Sequence, residues 1–537
     1  MNNIASPTQG KPGRGGWNAA IFIIFVEVAQ QFAFYGLASN LITYLTNVLD
    51  QPLATAAKNV NTWLGVSSVF PVLGAFVADS YLGRFTTILF SITIYFMGMV
   101  LLTLSVSVIH SQSRRAVFFV ALYILSSMRT EEERKAKSSF FNWWYLGLVF
   151  GATSATLGVV YLQDNVGWGL GFGILAGVVM VSLLLFLVGI KRYRKQRPPG
   201  SPFTTLAQVF VAAALKWHVN EILNCESVYY GDEKGGAMVE GQPQALVLSR
   251  TNQLRFLDKA MMIDEVDASN QTRNPWRLCS LNQVEEVKLV LRLIPICPTS
   301  HRLHQSSTTI RSIGPHFQVP PASLQGLVGI AILIAVPIYN RFLVPLTRKY
   351  TGHSSGITVL QRIGIGLVIS ILNMVVSALV EAKRLDVAKH YNLIDKPKAI
   401  IPMKVWWLLP QYLICGVSDA FTTVGLQELF YDQMPEQMRS MGAAAFISVI
   451  GVGSFISSGI ISIVQSITSR NGEKWLGDNI NRAHLDYFYW VLAVLSTLSL
   501  CVYVLITRAF VYRKIGGEEK LKAEMSLFAK NHDGGET

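Results

Sequence analysis

The stretch EVAQQFAFYG sets Glu27, Gln30 and Gln31 at i, i+3 and i+4, on one face of a helix, inside an apolar run that begins WNAAIFIIFV. A carboxylate in that setting is costly enough to mark a function by default, because it can take up a proton or hold a cation. Glutamine can hydrogen-bond but can neither titrate nor pair a charge. The competing reading is a polar contact between helices. A second ionisable residue, Glu428 in GLQELFYDQMPEQ, falls near the end of another apolar run, where a helix-terminal charge reaches interfacial water. Gly74, Asp79, Gly83 and Arg84, in GAFVADSYLGRF, join two apolar runs through what reads as a short loop. Glycine lets helices approach there, and an Asp–Arg latch can form in one state and break in another; the competing reading is a plain helix-end cap. Asn142 and Trp143, followed by Trp144, open a further run, where tryptophans serve as interfacial anchors or as ligand contacts.

The elements that must position these residues are membrane spans. The chain has 537 residues, 51% hydrophobic and 15% charged, with a mean hydropathy of +0.37, the composition of a polytopic membrane protein. Runs of the length needed to cross a hydrocarbon core of about 30 Å recur at 17–48, 60–81, 85–109, 140–161 and 168–190, then at 324–344, 363–380, 405–429, 442–467 and 487–506. The polar N-terminal segment has no short apolar core with a small-residue cleavage site, so no signal peptide is expected. The net charge of +13 fits basic cytoplasmic loops better than a nucleic-acid footprint. KRYRKQRPPGSP directly after a span marks that end as cytoplasmic, but EAKRLDVAKHYNLIDKPKAIIPMK is also lysine-rich and should face the other side if spans alternate. Within the stretch between the two sets, Phe203, Leu206, Ala207, Phe210, Ala214 and Trp217 recur at helical spacing, which suits an amphipathic helix on the membrane surface or on the protein. The remainder of that stretch, Gly-rich and charged, reads as a largely irregular linker.

Several patterns carry no chemistry. Cys225, Cys279, Cys297, Cys415 and Cys501 lack metal-ligand spacing and read as free thiols. GHSSG, 352–356, fits a nucleophile elbow in letters only, since it lies between two membrane helices. The sequon at Asn270 falls in a segment expected to be cytoplasmic. The glycine pairs Gly147/Gly151 and Gly173/Gly177 suit close helix packing. No enzyme, cofactor or metal centre is expected.

The blocks GAFVADSYLGRFTTI, KAKSSFFNWWY, PPASLQGLVGIAILIAVPIYNR, TGHSSGITVLQRIGIG, WWLLPQYLICGVSDAF and GLQELFYDQMPEQMRSMG, in this order along most of the chain, resemble the proton-dependent oligopeptide transporter family in its plant nitrate and peptide branch. The resemblance implies an all-α major facilitator fold of two six-helix bundles, working by alternating access on a proton gradient. It further implies a small-molecule substrate and protons as partners, in a plasma or vacuolar membrane. The family's first-helix E-x-x-E-R matches Glu27, Gln30 and Gln31, so one carboxylate stays while its acidic and basic partners are lost. Phe34 and Tyr35 match pocket-lining aromatics, and Glu428 matches a tenth-helix glutamate that faces a peptide's amino group.

Two spans depart from the family. Ala116–Met128 gives a largely apolar run of only 13 residues, roughly 20 Å of helix or three to four turns, and the glycine-rich segment with the substrate-anchoring lysine has no counterpart after it. The seventh span begins at LVLRLIPIC but turns polar after Cys297, and those nine residues make roughly 14 Å. The expectation is therefore about 10–11 spans rather than twelve. The expected boundaries are 1–190 for the N-terminal bundle, 191–322 for a central cytoplasmic linker holding the amphipathic helix and the seventh-span remnant, 323–510 for the C-terminal bundle, and 511–537 for a polar cytoplasmic tail. The resulting expectation is a secondary transporter of nitrate, a di- or tripeptide or another small metabolite; the alternative is a non-transporting membrane protein.

Overall fold

A computed structural model describes residues 17–509 except 109–110, 128–137, 194–201, 219–250, 294–308 and short gaps at 252, 265–266, 268–273, 311, 314–316, 352–355, 397–398, 434–438, 471–474, 476–478 and 480. The described chain is helical, with two pairings of very short strands: β1 (Thr309–Ile310) parallel to β4 (Ile401–Lys404), and β2 (Ser312–Ile313) antiparallel to β3 (Phe317–Gln318). It divides into two compact units. One comprises Met1–Pro198, Cys297–Leu429 and Ala443–Leu505; the other comprises Pro199–Ile296, Phe430–Gly442 and Ile506–Thr537.

The first unit begins with α1 (Trp17–Ala38), α2 (Leu41–Asn47), α3 (Leu53–Val77), α4 (Arg84–Ser107), α5 (Ser111–Ser127), α6 (Ser138–Asn165) and α7 (Trp168–Val188). It resumes with α10 (Gly326–Ile338), α11 (Val344–Thr351), α12 (Val359–His390), α13 (Leu409–Gln433), α14 (Arg439–Arg470) and α15 (Leu485–Ala509). Among the described residues nine helices are long and apolar enough to cross a membrane. They coincide with nine of the ten apolar runs. The tenth, α13, is 25 residues long but is interrupted by Gln411, Ser418, Asp419, Gln427 and Glu428.

Glycine brings helices close where the backbone itself is the neighbour. A Cβ on Gly151 of α6 would stand 2.8 Å from the Val28 carbonyl of α1, and one on Gly416 of α13 would stand 2.5 Å from both the Val328 carbonyl and the Ala331 side chain of α10. Gly147 of the first expected pair also faces Val28. The second expected pair does no such work, since Gly177 has open space and Gly173 only ordinary contact with Thr103. Two seams join early to late helices: α6 meets α10 at Thr153–Gly329 and Leu157–Gly326, and α3 meets α14 at Gly65–Phe455 and Gly451–Ser68.

Two local expectations are corrected. The joint between the second and third spans is not a loop, because α3 continues as a π-helical turn, Ala78–Leu82, and reverses on Gly83 alone at φ +76°. Only glycine adopts that backbone without strain. The fourth span is longer than three to four turns: α5 has 17 residues, nearly five turns, because SQSRR adds a polar first turn ahead of the apolar run. Its inward face, Phe118, Ala121, Leu122 and Leu125, is fully buried. It still falls short of the length that qualifies the nine.

The second unit contains α8 (Pro202–Leu215), a 3₁₀ segment Arg255–Met261 and α9 (Leu281–Leu293). Described residues that read as irregular linker are folded here. Val209, Ala212, Ala213, Leu257, Ala260, Met261, Cys279, Val284 and Val287 make a dry core. Around it Lys216, fully buried, ion-pairs with Asp267 and donates to the Met262 carbonyl at 2.6 Å. Arg277 spans Asp264 at 2.5 Å and Asp267 at 3.2 Å. Lys288 ion-pairs with Asp258 and, at 2.8 Å, with Glu285. Burial alone would raise the Asp264 pKa, but the Asp267 amide, the Arg277 guanidinium and the Lys216 ammonium outweigh it and hold the carboxyl below its usual range. The seventh-span remnant begins inside α9, and no helix of spanning length occurs among the described residues between 289 and 323.

Candidate functional site

On α1 the three polar residues of EVAQQ share one face, as their spacing requires. Glu27 is buried, while Gln30 and Gln31 are half-buried. Phe34 belongs to the core: its ring stacks on Trp63 of α3 with centroids 5.3 Å apart, and Trp63 in turn donates its indole N–H to the Leu122 carbonyl of α5 at 2.9 Å. Tyr35, edge-on to Phe34 at 5.5 Å, is exposed. One turn on, Asn40 donates to Gln163 at 3.2 Å and to Asp164 at 2.8 Å on α6. Gln163 donates to the Gly36 carbonyl at 3.1 Å, so an amide ladder fixes α1 against α6. The side chains of Asp79, Arg84, Asn142 and Trp143 lie outside the described residues.

The second ionisable position gathers partners that sequence reading had not singled out. Arg362, in the first turn of α12, donates from Nη1 to Glu428 of α13 at 3.0 Å and from Nη2 to the Ala420 carbonyl at 3.0 Å. Its guanidinium lies over the Tyr339 ring, 4.3 Å from the centroid, and Tyr339 meets Phe421 edge-on at 5.3 Å. The Arg362 side chain is 6% exposed and that of Glu428 34%. A one-third exposed carboxylate among apolar helices is tolerated where it meets water or an ion partner rather than lipid. Arg362 lies one residue before the apolar run at 363–380 and was not singled out from the sequence; the helix begins earlier, at Val359, and so takes it in. Its partner lies 66 residues away.

A second ion pair lies at the other end of α12. Arg384 makes a two-pronged contact with Glu381, 2.8 Å from Nε and 2.6 Å from Nη2, and its Nη1 donates to Asn481 at 2.9 Å. Both charged side chains are fully buried. Asn481 in turn donates to the Lys396 carbonyl at 3.0 Å, and Asn479 to the Ile394 carbonyl at 2.8 Å. Lys383, beside this pair, places its ammonium 3.5 Å from the Trp407 ring centre. These charges belonged to the lysine-rich stretch that opposed the positive-inside assignment. The helix runs ten residues past Val380, and Arg384 is a packed, paired group rather than a loop charge. Among the described residues no three metal-ligating side chains cluster.

Comparison with known proteins places this architecture. A model of the POT family matches residues 85–476. From Arabidopsis thaliana, Protein NRT1/PTR FAMILY 5.4 is 53% identical, over 94% of this chain and 96% of its own, and NRT1/PTR FAMILY 5.10 is 42% identical, over 94% and 95%. Among solved structures, an auto-inhibited POT family peptide transporter superposes with a TM-score of 0.63 at 17% identity, covering 92% of this chain and 97% of that one. The POT family transporter PepTSo gives 0.63 at 19%, covering 92% and 99%. These last two carry the fold, the multi-pass helical arrangement of the major facilitator type. With the matched family model and the Arabidopsis relatives, they establish that this chain is a membrane-embedded member of the POT transporter family.

Proposed function

We infer that the chain passes a small solute, of the nitrate, di- or tripeptide or related metabolite class, along its gradient without concentrating it by protons. The bundles of residues 1–190 and 323–510 flank the pathway in this reading, with Glu27, Gln30, Gln31 and Tyr35 on one side and Glu428 on the other. The observation that carries it is the composition of the α1 face: one buried carboxylate accompanied by two half-buried glutamines. A proton relay needs a second titrating group or a charge that changes partner, and amides provide neither. Glu428 has one carboxylate oxygen held by Arg362. The auto-inhibited protein that shares this fold is a peptide transporter, which supports a solute of that size.

The test is uptake into proteoliposomes with and without an imposed pH gradient, comparing the chain with a Gln30→Glu/Gln31→Arg version. Nitrate and alanyl-alanine are the probes. The native chain is expected to equilibrate a probe across the membrane at a rate indifferent to the gradient, and the double variant to gain stimulation by it. Concentration of either probe by the native chain, strictly dependent on the proton gradient, would defeat the proposal.

A second reading has one observation of its own. Between 289 and 323 the described residues hold no spanning helix, and α9 carries Glu285, Glu286 and Lys288 in a small polar domain. A chain lacking that pathway wall would be a non-transporting relic, and absence of flux from both proteins, each verified as inserted and monodisperse, would favour it.

A further inference from the structure

The helix α8 is apolar on two sides. The inner stripe, Leu206, Val209, Ala212 and Ala213, packs into the core of the second unit, with Lys216 buried beneath it by its ion pair to Asp267. Of the stripe read from the sequence, Leu206 faces that core, whereas Phe210, Ala214 and Trp217 lie on the other side. Phe210 is 36% exposed, Val211 40%, Leu215 58% and Trp217 62%, and Ala214 is exposed between them. We propose that this outer face is a lipid-contact surface, seated at the headgroup–acyl boundary of an anionic leaflet.

Three observations commit the face to that occupant. The first is tethering. The spanning helix that includes α7 ends at Lys191 and α8 starts at Pro202, so the connecting chain reaches at most roughly 40 Å. The chain itself therefore bounds how far the start of α8 can lie from the end of that span. The second is charge. The connecting sequence, KRYRKQR, holds five basic residues and no acid. The acids Asp258, Asp264, Asp267 and Glu285 of the second unit are each paired with a lysine or arginine of the same unit. Juxtamembrane basic clusters of this kind are drawn to anionic lipid. The third is the chemistry of the face. Trp217 stands at its end with the Lys259 ammonium 5.3 Å from its ring centre and the same ammonium donating to the Trp217 carbonyl at 2.5 Å. An indole beside a cation is the pairing favoured at a headgroup boundary, where the ring has apolar surroundings and the charge meets phosphate. A helix whose core-facing side is already filled gains nothing within its own unit from five further apolar residues; an interfacial position uses them.

The experiment replaces Phe210, and separately Leu215, with the photocrosslinker p-benzoylphenylalanine in the full chain. Each protein is placed in nanodiscs of phosphatidylcholine alone or with about a third phosphatidylserine, irradiated, and analysed by mass spectrometry. Lipid adducts at both positions are expected, with phosphatidylserine several-fold over-represented relative to its mole fraction. That preference should fall toward parity in molar salt or when Arg192, Arg194, Lys195 and Arg197 are all changed to Gln. Adducts confined to the protein's own helices or to a second copy would overturn the proposal, and so would the absence of adducts at both positions in correctly inserted protein. The readout is independent of flux, so it stands or falls apart from the transport reading.

Discussion

Replacing Glu381 with Leu should be among the most damaging single changes in the second set of spans. The carboxylate accepts two charge-assisted hydrogen bonds from Arg384, at 2.8 and 2.6 Å, and both side chains are fully buried. Each such bond contributes about 1.5–3 kcal/mol. Removing one partner of a buried pair costs about 3–5 kcal/mol, because the remaining charge stays in the interior without its counter-ion. Asn481, 2.9 Å from Nη1, can accept one proton of the guanidinium but cannot neutralise it. The expected loss corresponds to two to four orders of magnitude in the folded-to-unfolded ratio, at about 1.4 kcal/mol per decade. The assay is unfolding of the detergent-purified protein, for Glu381→Leu, Arg384→Leu and the pair together. Because two apolar groups of similar size can replace a buried ion pair at little cost, the double variant should be more stable than either single one. Should Glu381→Leu fall within about 1 kcal/mol of the parent, or the double variant equal the sum of the singles, the pair is not the electrostatic unit described here.

Other expectations follow from close contacts and from charge. Gly416→Leu should lower stability by about 1–3 kcal/mol or abolish folding, since its Cβ would stand 2.5 Å from the Val328 carbonyl; Gly158→Ala, facing open space, should leave the melting temperature unchanged, and equal effects of the two would refute the packing argument. The lowered pKa of Asp264 predicts a contribution to stability that is complete above the unfolded carboxylate value of about 3.9 and is lost as pH falls through the lower folded value. The buried thiol of Cys279 reports it: protection from 4,4′-dipyridyl disulfide should hold from neutral pH down to about 4 and fail only as pH falls further below that unfolded value, while Asp264→Asn should start less protected and show a flatter profile. A parent profile as flat as that of the variant would contradict the assignment.

How far the sequence could be read depended on whether the relevant energy was local. Ten apolar runs were legible because crossing a hydrocarbon core is a requirement on each segment by itself. The burial of Glu27, a polar position in such a run, was legible for the same reason. The faces of α8 were not, since both are apolar and the choice between them was made by Asp267, which draws Lys216 inward across 51 residues of chain. Glu428 is visible in sequence as a charge near the end of its run, whereas Arg362 falls just outside the run at 363–380, and their pairing depends on α12 and α13 approaching where Gly366 and Gly425 leave room. The stretch after Val380 shows the consequence most directly. Hydropathy ends the span where Glu381, Lys383 and Arg384 begin, and a count of basic residues then treats them as loop. In the fold the helix continues to His390, Glu381 and Arg384 neutralise one another in the interior, and Lys383 rests on Trp407. The positive-inside rule weighs charges that resist translocation as loop charges, and a cation already folded against its own carboxylate is not one. Omitting the Glu381–Arg384 pair and setting Asp386 and Asp395 against the remaining lysines leaves KRYRKQR, with no acid within it, as the stronger basic block by sequence, and it is that block which the positive-inside rule weighs in expecting the cytoplasm at that end.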